Sequence, residues 1–235
     1  MGCTSSSEHF PEEADFLVAQ KADVMKERLV EPSGLSVLHL RRGAYRSTTP
    51  WPVSGDDGAE LLKVKQDRGK RHILSPEGNS ICCMEFSQRR VSLVNGIDSD
   101  CSWPHHYIYS PRPLREDHTA WEQDEERSLY MWARVDKRSN VGTRRFSISF
   151  AELLGVDGEN TSYFGMERIL IRVLSDGRMI FKTSEGRGLC LVGLIGGESE
   201  KDTYRIAFVP CADHGLLAAA VLCVEALAAG PGPGN

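Results

Sequence analysis

Two groupings of residues in this chain have chemistry to offer. The first is the amino terminus. Met1-Gly2-Cys3-Thr4-Ser5-Ser6 fits M-G-x-x-x-[ST], the pattern that directs removal of Met1 and acylation of Gly2 with myristate. One myristoyl chain holds a protein at a membrane only marginally, so a second signal is required. That signal is not electrostatic. Residues 1–30 carry Lys21, Lys26 and Arg28 against Glu8, Glu12, Glu13, Asp15, Asp23 and Glu27, a balance that anionic lipid repels. Cys3, adjacent to Gly2, is a natural palmitoylation site, and dual acylation supplies stable anchoring without basic residues.

The second grouping is basic. Between Leu61 and His72, the cations Lys63, Lys65, Arg68, Lys70 and Arg71 meet a single acid, Asp67, in a protein whose net charge is −5. If Leu62 and Val64 face the interior, strand alternation puts Lys63 and Lys65 on one outer face. Arg68, Lys70 and Arg71 then crown the following hairpin. Such a cluster suits the phosphates of an inositol lipid, with Lys as point charges and Arg as forks. The plainer alternative is a solvated charge run that protects a sheet edge.

Catalytic motifs are missing. The chain has no G-x-S-x-G elbow, no Walker loop and no H-E-x-x-H pair, so no catalytic residue and no cofactor is assigned. Asp213 sits where a helix N-cap belongs, which accounts for Asp213-His214 better than half of a triad does. Cys82, Cys83, Cys101, His105 and His106 match no zinc spacing, and Asp98-Ser99-Asp100 lacks the Gly and terminal Glu of a calcium loop. No metal site is expected. The acidic balance and a pI near 5.8 also argue against nucleic acid as a partner.

The elements that must position these residues are read from periodicity. Residues 213–229 form a helix with no polar face: Leu216 to Val224 run unbroken in apolar residues, and Glu225 is the one interruption before Ala226. A helix apolar all round must be buried on every side. It is too short for a bilayer, which takes roughly 20 apolar residues to span. What precedes it is a series of short strands at 35–40, 60–65, 71–74, 80–86, 90–94, 106–110, 129–135, 144–150, 167–174, 178–182, 188–195 and 203–209. That is about a dozen, and a barrel of this size has room for a central helix, whereas about eight strands fill their own interior. The fold expected is mainly β: a roughly twelve-stranded closed barrel over 35–229 around a hydrophobic carboxy-terminal helix. A leash over 1–10 and an outside helix over 11–31 precede it, and a tail over 230–235 follows. Ser75-Pro76-Glu77-Gly78 has the preferences of a type I turn, and Asp176-Gly177 marks a tight hairpin. The two Leu-Ser-…-Gly stretches echo one another about a hundred residues apart.

These stretches resemble a known family. Arg71-His72-Ile73-Leu74-Ser75-Pro76-Glu77-Gly78-Asn79-Ser80-Ile81 and Ile171-Arg172-Val173-Leu174-Ser175-Asp176-Gly177-Arg178-Met179-Ile180 are similar to the strand–turn–strand units of the LURF-one-related branch of the tubby C-terminal-like superfamily. The ending from Asp202 to Leu217 resembles that branch's last strand, its Pro-x-x-Asp corner and the start of its central helix. The resemblance implies a twelve-stranded barrel closed around the last helix. Through the superfamily's tubby members it also implies phosphoinositide binding by basic residues on the barrel. Cys211 stands where the branch has Gly, and the cysteine-rich cluster of the related phospholipid scramblases is absent.

The function expected is therefore non-catalytic: a lipid-anchored module at the cytoplasmic face of a membrane, binding phospholipid headgroups such as phosphoinositides or tethering a protein partner there. The alternatives are scramblase-like lipid transport and a protein-interaction scaffold. Seven cysteines without framework spacing, and no apolar signal peptide, point to a reducing compartment.

Overall fold

A computed structural model describes residues 10–17, 37–87, 105–113, 120, 122–124, 127–138, 144–156, 159–195, 203–210 and 212–229. Thirteen strands precede one long helix. They are β1 (Val37–Arg41), β2 (Trp51–Ser54), β3 (Glu60–Asp67), β4 (Lys70–Leu74), β5 (Ser80–Ser87), β6 (His105–Ser110) and β7 (Glu122–Asp124). After them come β8 (Arg127–Lys137), β9 (Arg144–Val156), β10 (Glu159–Val173), β11 (Met179–Thr183), β12 (Gly188–Ile195) and β13 (Thr203–Phe208). The sheet runs β6-β5-β4-β3-β2-β1-β13-β12-β11-β10-β9-β8, and β8 pairs back onto β6. That pairing closes a twelve-stranded antiparallel barrel; β7 lies outside the ring as a hairpin on the start of β8.

The helix α2 (His214–Ala229) fills the barrel. Leu216 through Val224 are at most 1% exposed, as a helix without a polar face requires. The wall is made of alternate strand residues, Leu38, Leu62, Ile73, Met84, Ile148, Ile171 and Ile206 among them, all packed in one cluster with the helix. Alanines at 218–220 let the wall approach closely, while Leu216, Leu217, Val221 and Leu222 each contribute about 1.5–3 kcal/mol by burial. The helix start is closed by Asp213, whose Oδ1 accepts the Leu216 N–H at 2.9 Å. The capping role expected of it therefore holds.

Several sequence expectations change. The strand Trp51–Ser54 has no counterpart among those expected, because Pro52 cannot donate to a ladder. It is tolerated because β1 meets β2 at a single register pair, His39 with Ser54. The expected strand over 90–94 lies outside the described residues. The helix expected over 11–31 is described only as α1 (Glu13–Phe16). Leu17 leaves helical geometry at φ −92° and ψ 52°, which breaks a continuous helix, and 18–31 lie outside the described residues. The hairpin at Asp176-Gly177 is tight as expected, Leu174 and Arg178 closing a three-residue loop over 175–177. The Gly177 N–H reaches the Leu174 carbonyl at 3.1 Å, and Gly177 takes φ +92°. Ser75–Gly78 closes the same way, as do the turns at Gly55–Gly58 and Thr183–Gly186, so the echo reflects a recurring turn geometry.

The antiparallel order gives the barrel two distinct ends. At one, β13 turns into Asp213 and the helix begins. At the other, where β1, β3, β8 and β10 finish, the helix leaves past Glu225.

Candidate functional site

The sequence-predicted basic cluster is divided by the fold. Leu62 and Val64 face the core, so Lys63 and Lys65 do share the outer face of β3. Lys63 leans toward the Asp213 end, donating to the Pro76 carbonyl and pairing with Glu60 at 3.1 Å. Lys65 stands opposite His72. Arg68 and Gly69 form a two-residue hairpin loop at the Glu225 end, with φ +46° and +81°. Lys70 lies beside it, 3.6 Å from Glu85.

Arg71 is a correction. It shares parity with core-facing Ile73 and so points inward, not onto the hairpin crown. Its guanidinium lies 4.8 Å from the Tyr45 ring centre and 3.4 Å from His106 Nε2. Burial lowers its pKa. Burial and the neighbouring Arg71 charge push the His106 pKa down to about 3, so that imidazole is neutral. Gly2 and Cys3 lie outside the described residues.

Cations that sequence reasoning passed over gather at the Glu225 end. Arg41 ends β1, Arg42 follows it, and Arg46 ends the 3-10 turn Ala44–Arg46. Arg138 follows β8, Arg144 and Arg145 begin β9, and Arg172 is the penultimate residue of β10. Phe86 and Ile195, large apolar side chains 38% and 37% exposed, stand at the same end. The Asp213 end carries Asp56, Asp57, Glu60, Glu77 and Glu185 among its described residues. Asp67, Asp136 and Asp176 also lie at the Glu225 end and Arg112 and Arg187 at the other, yet among the described residues the cations are in excess at the Glu225 end, the basic rim.

Outside this rim runs a groove of about 640 Å³ along β9–β11, lined by Arg138, Arg145, Arg172 and Lys182 with Leu170, 40% exposed, between them. Among the described residues no carboxylate lines it. Arg145 sits directly opposite Arg172 in the ladder, an arrangement that like charges make unfavourable. The segment Phe10–Leu17 is docked beside the groove. Phe10 and Phe16 pack on Leu174, Ile180 and Leu191, Arg178 stacks on Phe10 at 4.4 Å, and Glu13 pairs with Arg205. Phe10, against Arg178 just after β10, lies at the Glu225 end.

Three of the four buried cysteines among the described residues are held as thiols by burial. Desolvation raises the pKa of Cys82 and Cys190 far above the ordinary range and that of Cys223 to about 12, so all three stay protonated. Cys82 packs inside the barrel and Cys83 in an outer cluster with Tyr107 and Tyr109. Among the described residues no group of three His, Cys, Asp or Glu could hold a metal ion.

Neither a known family profile nor a curated protein matches the chain. A crystal structure of an Arabidopsis thaliana protein is similar at 11% identity and a TM-score of 0.48, covering 84% of this chain and 96% of that one.

Proposed function

We propose that the chain is a non-catalytic, lipid-anchored module, tubby-like and LURF-one-related in kind, that docks a basic barrel rim on anionic phospholipid. The observation that carries this reading is the excess of arginines at the barrel end where Phe10, the first described residue after the acylatable terminus, is packed. Eight Cα-to-Cα steps separate Gly2 from Phe10, a reach of at most about 29 Å. An acyl chain in the bilayer therefore keeps the Glu225 end close to the headgroups. Each Lys or Arg near an anionic surface adds about 1 kcal/mol, within a Debye length of about 8 Å. Phe86, Leu170 and Ile195 supply apolar contacts for the interfacial layer.

The scramblase-like alternative requires α2 to leave the barrel. At 16 residues it is about 24 Å long, short of a bilayer core of about 30 Å. No described helix is long and apolar enough to cross a membrane.

Sedimentation with phosphatidylserine vesicles tests the proposal. The acylated protein binds, and Gly2→Ala with Cys3→Ser abolishes stable retention. Arg145→Glu with Arg172→Glu weakens association by about tenfold or more, while Arg187→Glu at the other end leaves it unchanged. Equal binding by all of these proteins would overturn the reading.

A further inference from the structure

We propose that the outer face of β10–β12 is a docking site for a peptide segment of a protein partner. The segment it takes has two aromatic residues six positions apart and a carboxylate midway. The chain's own Phe10, Glu13 and Phe16 have that spacing and occupy the site as a tethered copy of such a ligand.

The floor of the site is Leu174, Ile180 and Leu191, a cluster separate from the barrel core. Ile180 and Leu191 are ladder partners whose neighbours Phe181 and Cys190 face the core, so alternation turns this pair outward. Phe10 and Phe16 pack on the floor, and each ring also meets a cation. Arg178 lies 4.4 Å from the Phe10 ring centre, and Lys182 Nζ lies 5.5 Å from that of Phe16. A ring between an apolar floor and a cation is recognised on both sides. Between the two rings, Glu13 pairs with Arg205 of β13, whose two terminal nitrogens donate to its two carboxylate oxygens. Gly188 completes the fit. A Cβ there would collide with the Phe16 carbonyl and press on its ring, so a glycine keeps open the notch that receives the peptide backbone.

The plainer explanation is that Phe10–Leu17 is a fixed part of the fold, and Leu17 does pack against the core cluster. The rest of the segment is peripheral. The single helical turn Glu13–Phe16 is too short to persist unaided, and Glu12, Glu13 and Asp15 are exposed. Two partly buried rings and an exposed ion pair hold the segment, contacts that a competing peptide duplicates in full. The barrel closes without it, through β6 and β8. Residues 18–36 join it to β1, a reach of at most about 70 Å, so it leaves the site without moving a strand. Where the rim is docked on phospholipid, a consequence that rests on that reading, displacement lengthens the leash from Gly2–Phe10 to Gly2–Val37 and loosens the barrel from the surface.

Fluorescence anisotropy of a labelled octapeptide, Phe-Pro-Glu-Glu-Ala-Asp-Phe-Leu, titrated with the full-length, non-acylated protein tests the site. The Phe10→Ala/Phe16→Ala variant, whose own segment no longer competes, binds the peptide saturably. Wild type binds it about tenfold more weakly, because a tethered segment acts at an effective concentration in the millimolar range. Adding Arg205→Glu to the double variant weakens binding about fivefold, and a peptide carrying Glu13→Arg restores most of the loss. A peptide that keeps the two phenylalanines and the midway acid, with alanine and serine elsewhere, binds within about threefold of the native one, as a foreign segment must. Thermal melts check that each variant is folded, and wild type with excess peptide carries the test on its own if the double variant is not. No saturable binding to either protein, or binding that Arg205→Glu leaves unmoved, overturns the proposal. Light scattering reads the other occupant: wild-type dimers that Phe10→Ala/Phe16→Ala abolishes would put a second copy in the site and overturn its assignment to a partner. The titrations contain no lipid, so failure of the membrane docking leaves them untouched.

Discussion

The two ends of the enclosed helix obey different rules. At its start, Asp213 is fully buried, accepts the Leu216 N–H and leaves the helix closed off. At its finish, Ala228 and Ala229 are exposed, Glu225 is tied to a backbone N–H, and arginines from distant strands surround an open cavity. At one end a buried carboxylate accepts the N–H of the first helical turn, which serves stability. The other gathers four arginines, Arg41, Arg42, Arg46 and Arg144, around one carboxylate among the described residues. Charge gathered at an open end is what docking on anionic phospholipid needs.

The largest effect should come from the closed part. Leu222→Ala removes a fully buried side chain from the middle of the helix and should cost about 3 kcal/mol, whereas Ala228→Leu at the open end should stay within about 0.5 kcal/mol. Chemical denaturation of both variants checks this. Equal losses would mean that the open end is packed like the closed one. Next comes Asp213→Ala, which orphans a buried N–H and should cost about 2 kcal/mol, with Asp213→Asn restoring most of it.

Acid should act through a residue near the open end. His106 is neutral in the fold, with its pKa pushed from 6.5 down to about 3 by burial and by Arg71, while the unfolded chain takes up a proton near pH 6.5. Its contribution is therefore complete above pH 6.5 and is lost as the pH falls toward 3, by up to about 1.4 kcal/mol per pH unit. His214 at the closed end is also lowered by burial and adds a loss of the same sign. Thermal melts from pH 7.5 to 4.5 should show a shallower decline in His106→Gln; an unchanged slope would remove His106 from the account. The smallest effect is expected on the outer face. A methyl group at Gly188 would collide with the Phe16 backbone carbonyl, so Gly188→Ala should loosen the Phe10–Leu17 segment at a cost of about 1 kcal/mol or less. Limited proteolysis should then cut that segment faster, and an unaltered rate would mean it shifts without detaching.

Much of this architecture was legible in the chain. A helix apolar on every side, following about a dozen alternating segments, admits few arrangements other than enclosure, and the Asp213 cap follows from residue type and position. Trp51–Ser54 was hidden by Pro52, whose usual meaning is a break. Arg71 was readable in principle, since alternation from Ile73 turns it inward, but its charge argued for the surface. Arg41, Arg42 and Arg46 form a dense basic stretch that carried no motif, and Arg144-Arg145 divides between the open cavity and the groove only because neighbouring strand residues face opposite sides.

What the sequence determined alone is local: period, turn chemistry, capping and the need to bury the last helix, all of which depend on residues within a few positions of one another. Only the tertiary structure decided which cations meet. Strand order and register bring Arg41, Arg46 and Arg144 to one rim across about a hundred residues of chain. Long-range charge placement leaves no periodic trace in a sequence, because each cation satisfies its own strand whichever end of the barrel it reaches.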